Sequence, residues 1–203
     1  MMHSNVGQLM NVFNLEEIQS MLVALAKLKD NPHTGKFKVY TNGFQEKDLI
    51  YPFIKKTVLN RIETLLDRQI HLLHGMLLKE TTPWDIHTDY VKGDANPDMA
   101  ILIPLNSTPV NIHTVIFNES CTDTFETYIA NNKKLVNNAS YLHDTIMSHE
   151  TLDKLEYVSL LGAFRWIPGS VIYWDRKLLH ASDNFLKNNI MEKQALVLFT
   201  TFV

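Results

Sequence analysis

The stretch PWDIHTDYVKGD, residues 83–94, decides how the chain is read. Its segment WDIHTDYV has the apolar and aromatic character of a short strand. Side chains on a strand alternate faces, so His87 and Asp89 point to one side and Thr88 to the other. An imidazole and a carboxylate placed this way can take two adjacent positions around one metal ion. A third ligand must then come from elsewhere in the chain. An H-x-D triplet is weak by itself, since a chain with nine histidines meets it by chance.

Working outward, the segments MAILIPLN, VNIHTVIFN, VIYWD and ALVLFTTFV are short, β-branched and aromatic-rich. KGDANPD, STP and PGS separate them as turns. Successive short strands predict paired sheets or a barrel, not βαβ units. Upstream, Leu15, Ile18, Met21, Leu22, Leu25 and Leu28 follow a helical period. Asn14 and Glu17 form a capping box at its start. KDNPHTG stops that helix and KFKVY reads as a strand. A second helix begins near Tyr51, with Pro52 in its first turn and Ile54, Val58, Ile62, Leu65 and Leu66 on one side. IHLLHGMLL, 70–78, reads as a buried strand. Residues 119–160 are polar, with helical stretches such as ETLDKLEYVSLL, and read as an insertion.

The 203 residues suit one domain: helical support over 1–68, then a β core over 69–203 interrupted at about 119–160. The expected class is mainly β with N-terminal helices. A net charge of −3 offers no electrostatic case for nucleic acid or an anionic membrane. The single cysteine, Cys121, excludes an internal disulfide framework and a cysteine-based zinc cluster. The start MMHSNVGQLMNVFNLEE lacks a basic n-region and a long apolar stretch, so a cytoplasmic location is expected. No G-x-G-x-x-G, Walker loop or G-x-S-x-G is present, which removes the dinucleotide-binding, P-loop and α/β-hydrolase readings.

The missing third ligand is offered downstream, in IPGSVIYWDRKLLHASDNF. A Pro-Gly turn launches a strand, and a short loop leads to His180. Two His and one carboxylate leave three positions of an octahedron open, the facial arrangement of non-haem iron sites. Thirteen residues beyond His180, Lys193 opens the last strand, KQALVLFTTF. In this order the motifs resemble the iron(II)- and 2-oxoglutarate-dependent oxygenases of the double-stranded β-helix (jelly-roll) class, over roughly residues 65–203. The resemblance implies a β-helix barrel with helices packed on its major sheet. It implies that His87, Asp89 and His180 hold Fe(II), and that Lys193 pairs with the far carboxylate of 2-oxoglutarate. O2 would be the oxidant, and a small molecule, amino acid or peptide side chain the hydroxylated substrate.

Two positions depart from the family pattern. Lys193 stands where Arg is commoner, losing its bidentate fork. Ala195 stands where a hydroxyl residue often helps hold the far carboxylate. Thr114, from another strand, could supply that hydroxyl, and Lys79 is a rival cation. Competing functions are a non-catalytic, cupin-like barrel that binds a metal or ligand, and a zinc hydrolase using the same residues. Trp84, Trp166 and Trp174 are expected to pack, with Trp84 or Tyr90 shaping a substrate pocket. The insertion is expected to form part of the substrate entrance.

Overall fold

The computed structural model describes residues 6–28, 30–32, 38–41, 43–91, 99–107, 111–135 and 137–202. Strand β1 (Gly7–Leu9) and helix α1 (Leu15–Leu25) lead to β2 (Asp30–Pro32) and β3 (Lys38–Thr41). The next helix has three parts: α2 (Tyr51–Ile54), a π turn (Lys55–Leu59) and α3 (Asn60–Leu66). Strands β4 (Ile70–Glu80), β5 (Met99–Pro104) and β6 (His113–Ser120) follow. Then come α4 (Phe125–Asn131), α5 (Ala139–Thr145) and α6 (Leu152–Leu155). Last are β7 (Leu160–Arg165), β8 (Val171–Asp175), β9 (Leu178–Ser182), a 3-10 turn and β10 (Lys193–Phe202).

The class is mainly sheet with helices, as expected. The strands form a larger antiparallel sheet, ordered β1-β8-β5-β10-β4-β3-β2, and a smaller one, β7-β6-β9. Among the described residues no ladder joins their edges, so the expected barrel is not closed by hydrogen bonds. The two sheets instead pack face to face. Leu78, Leu102, Ile172, Trp174 and Val197 of the larger sheet share a core with Ile116 and Leu178 of the smaller one.

The outer face of the larger sheet carries the helices. Ile18, Met21 and Leu25 of α1, with Ile54, Val58, Leu59 and Ile62, pack on Met99, Ile101, Ile103, Leu196 and Leu198. The helical period in the sequence marks all of these helix residues except Leu59, and burying each large apolar side chain is worth about 1.5–3 kcal/mol. The capping box forms: the Glu17 amide donates to the Asn14 side chain, and the Asn14 amide donates to Glu17, both at 2.9 Å. The π turn shifts the register of the second helix, so Leu59 is buried and Leu65 is left half exposed. Pro32 lies in β2; residues 29 and 33–35 of KDNPHTG and all of KGDANPD, 92–98, lie outside the described residues.

Two features adjust the larger sheet. A bulge in β4, opposite Phe199 and Thr200, skips Leu73. It switches the alternation, so Ile70 and Leu72 face the helices while His74, Met76, Leu78 and Glu80 face the smaller sheet. The predicted Pro-Gly turn forms with Gly169 at φ +76°, and its carbonyl accepts the amides of Val12 and Phe13. A side chain there would sit 2.1 Å from the Phe13 carbonyl oxygen, so glycine is required.

Helices α4–α6 pack on the outer face of the smaller sheet. Phe125, Leu142, Met147 and Leu155 share a core with Val115, Phe117, Leu179 and Ile86. The HTD stretch is not a regular strand. Its ladder is reduced to one bridge, His87 with His180. The Thr88 hydroxyl explains the break, donating to the carbonyls of Arg176 and Cys121 and so competing with a regular ladder.

Candidate metal centre and its cavity

The bridge places His87 directly across from His180, with amide-to-carbonyl bonds of 3.0 and 2.9 Å in both directions. The two rings lie 4.2 Å apart. The Asp89 amide donates to the Arg176 carbonyl at 3.1 Å, and the Arg176 guanidinium donates to the Asp89 carbonyl at 2.7 Å. These bonds turn the Asp89 carboxylate toward both imidazoles. Its Oδ2 lies 3.2 Å from His180 Nε2, and its Oδ1 lies 3.9 Å from His87 Nε2. The expected alternation holds, because His87 and Asp89 face a common cavity and Thr88 does not line it.

The tautomers of the two histidines suit a metal. His87 Nδ1 donates to the Asp85 carbonyl at 2.7 Å, and His180 Nδ1 donates to the Leu178 carbonyl at 3.0 Å. In both, the carbonyl belongs to the residue two positions back. That bond fixes the ring and puts the lone pair of the neutral imidazole on Nε2, as in metal-ligating histidines. His87, Asp89 and His180 each offer an atom within 4.8 Å of the others. The residues present therefore fit a divalent cation.

Electrostatics agree with a site built for positive charge. Burial works against ionising Asp89, but His180, His87 and Arg176 outweigh it and hold its carboxyl below the ordinary value. Burial likewise opposes charge on His180, yet Asp89 and the Leu178 carbonyl raise its pKa. A second group, Asp85, His149 and Glu150, also lies within ligand reach. There the Glu150 carboxylate is already engaged: Oε1 accepts the Ile86 amide at 2.8 Å and Oε2 pairs with Lys154. His149 Nε2 donates to the Trp84 carbonyl. These contacts let the insertion brace the segment that carries His87.

The triad stands at one end of a cavity of about 420 Å³ between the sheets. Its walls include Trp84, Leu102, Trp174, Val197 and Phe199. Trp174 and Trp84 pack against His180 and His87, each pair with centroids 4.9 Å apart. Trp166 packs elsewhere, under the Lys193 ammonium at 4.2 Å. Thr114 lines the cavity, and its buried hydroxyl has no hydrogen-bond partner.

Lys193 is buried, 1% exposed, behind the far end of the cavity. Its Nζ lies 3.5 Å from Glu80 Oε2 and 3.4 Å from the Ser182 hydroxyl, and Glu80 and Ser182 form the cavity wall there. Lys79 occupies the opposite face of β4, in a separate groove with Gln19 and Leu22 of α1. The structure therefore brings His87, Asp89, His180 and Thr114 to one cavity, sets Lys193 behind it, and keeps Lys79 apart. Sequence reasoning missed Glu80, Ser182 and His74. Ser182 stands two residues after His180, the same-face spacing that singled out His87 and Asp89.

Tyr90 lines a neighbouring cavity of about 510 Å³ that shares Trp84 and His87 with the first. Thr122–Glu126, at the start of the insertion, form its other wall. His113, in β6, pairs with Asp183 at 3.2 Å.

No family model matches the chain, and no curated protein matches its sequence. Solved structures do match its fold. A 2OG-Fe(II) oxygenase family oxidoreductase from Burkholderia pseudomallei superposes with a TM-score of 0.61 at 9% identity, covering 97% of this chain and 84% of that one. HygX from Streptomyces hygroscopicus, with nickel and 2-oxoglutarate bound, gives 0.60 at 12% identity, covering 97% and 82%. A prolyl-4-hydroxylase from Pseudomonas putida gives 0.54 at 8% identity, covering 98% and 93%. The fold is that of the 2-oxoglutarate- and iron(II)-dependent oxygenases. Such an oxygenase fold agrees with the expectation drawn from the H-x-D, His180 and Lys193 motifs. Among the described residues no helix is long and apolar enough to cross a membrane.

Proposed function

We propose that this protein is an iron(II)- and 2-oxoglutarate-dependent oxygenase acting on a small molecule, an amino acid or a peptide side chain. The carrying observation is the triad. Two histidines, each tethered through Nδ1, and one carboxylate converge on a largely apolar cavity. His87, Asp89 and His180 would hold Fe(II). Bound together, iron and 2-oxoglutarate would supply the oxidising chemistry: O2 and 2-oxoglutarate are consumed, succinate and CO2 leave, and one oxygen atom enters a substrate C–H bond.

The protein's own residues orient and enclose. The Nδ1 tethers hold both imidazoles in one tautomer, and Arg176 fixes the Asp89 backbone. Trp84, Trp174, Leu102, Val197 and Phe199 keep water from the reacting end. The unpartnered Thr114 hydroxyl and the Lys193 ammonium are the groups for the far carboxylate of 2-oxoglutarate. The insertion contributes to the substrate entrance through Thr122–Glu126, beside His87.

Succinate release from 2-oxoglutarate under air tests this reading. The parent protein with Fe(II) is expected to release it, and His87→Ala and Asp89→Ala to lose both release and metal binding while keeping their circular dichroism. Variants that bind metal as the parent does would sink the ligand assignment. Stoichiometric metal without succinate, across a broad substrate panel, would favour the non-catalytic binding barrel.

A further inference from the structure

The far end of the cavity already contains a carboxylate. Glu80 ends β4 and is the cross-strand partner of Lys193 at the start of β10. Across the gap, Ser182 of β9 is paired in register with Thr114 of β6. Three donors therefore meet here: the Lys193 ammonium and the Ser182 and Thr114 hydroxyls. Glu80 takes two of them. Its Oε2 lies 3.5 Å from Lys193 Nζ and accepts the Ser182 hydroxyl at 2.7 Å. Only the Thr114 hydroxyl is left without a partner. Glu80 is 3% exposed and lines the cavity, whereas Lys193 stands behind it.

We infer that Glu80 is an internal competitor for the cosubstrate's far carboxylate and sets which 2-oxo acid the protein prefers. The inference rests on the proposed oxygenase reading. Two carboxylates sharing one ammonium in a buried site leave a net negative charge there, and low dielectric makes that costly. A 2-oxo dicarboxylate must therefore displace Glu80 from Lys193 or accept its repulsion. A 2-oxo acid of the same length with an uncharged tail meets neither obstacle. The advantage that a lone buried cation would give 2-oxoglutarate is suppressed, and the balance shifts toward 2-oxo monocarboxylates.

Calorimetry on the full chain loaded with Mn(II), without O2, tests this with two probes. One is 2-oxoglutarate. The other is 2-oxopentanoate, which keeps the chelating head and chain length but lacks the far carboxylate. In the parent the two should bind within about tenfold of each other. Glu80→Gln should tighten 2-oxoglutarate by about tenfold or more and change 2-oxopentanoate less than about twofold. Equal shifts for both acids, or none, would overturn the inference while leaving the oxygenase reading standing. A parent preference for 2-oxoglutarate of about a hundredfold would overturn it without any variant, should Glu80→Gln fold poorly. Failure of both acids to bind the metal-loaded parent would instead overturn the proposed function and this inference with it.

Discussion

Replacing Lys193 by Met probes the buried ion pair through stability alone. Lys193 and Glu80 are 1% and 3% exposed, with 3.5 Å between Nζ and Oε2. At an effective dielectric near 20, charges at that distance attract by about 5 kcal/mol. Solvent screening is slight because neither side chain reaches the surface. Lys193→Met keeps most of the aliphatic packing against Trp166 and Phe185 but strands the Glu80 charge. Breaking one side of a buried pair costs about 3–5 kcal/mol, a third or more of the stability of many domains. Removing both charges in Lys193→Met/Glu80→Gln should recover most of that loss, since the remaining amide is neutral and keeps the Ser182 hydroxyl within reach. Urea unfolding followed by circular dichroism reads the difference as a fall in midpoint at constant m. A single variant within about 1 kcal/mol of the parent, or a double variant no more stable than the single, would refute the claim that this is a tightly coupled buried pair.

Four further outcomes are expected. Metal-free stability should peak in a window of mildly acidic pH. Asp89, held below its ordinary 3.8, contributes stability that is lost as pH falls through its lowered value; His180, raised above 6.5, contributes stability that is lost as pH rises through its raised value. Thermal melts across pH 3–9 check this, and triad contributions that keep growing above the His180 titration would contradict it. Thr114→Val should leave stability nearly unchanged, since its hydroxyl has no partner, while weakening 2-oxoglutarate binding several-fold; Lys79→Ala, on the other face of β4, should leave that binding unchanged, and a loss there would reinstate Lys79 as the cosubstrate cation. Gly75→Ala should destabilise by about 1–3 kcal/mol in urea, because its Cβ would lie 2.3 Å from the Phe44 ring at the point where the two residues bridge.

The parts of the candidate site legible in the sequence are those with local spacing. His87 and Asp89 share a face by alternation, His180 follows a Pro-Gly turn and strand, and Lys193 opens the last strand. The helical period likewise marked the apolar faces of α1 and the second helix. Glu80 was not legible, because its meaning comes from register: only the pairing of β4 with β10 sets it against Lys193. The β4 bulge, which aims His74 into the cavity, leaves no trace in IHLLHGMLL, where apolar residues fall at both odd and even positions and so fix no alternation. The irregular path of HTD was hidden for a similar reason. Thr88 favours strand by propensity, but its hydroxyl is committed to carbonyls 33 and 88 residues away in sequence. Among the described residues the expected barrel is not closed, and a strand pattern predicts pairing without saying which edges meet.

The separation of the two sheets carries its own consequence. The triad belongs wholly to the smaller sheet and the HTD segment bridged to it, whereas Lys193 and Glu80 belong to the larger one. Across this gap the Ser182 hydroxyl reaches the Glu80 carboxylate. A molecule anchored at the triad and reaching Lys193 would span the same gap as a strut, and its carbon count would then gauge the spacing of the two walls. Diacids one carbon shorter or longer would have to draw the walls together or wedge them apart, so chain length would be read mechanically, by the sandwich as a whole.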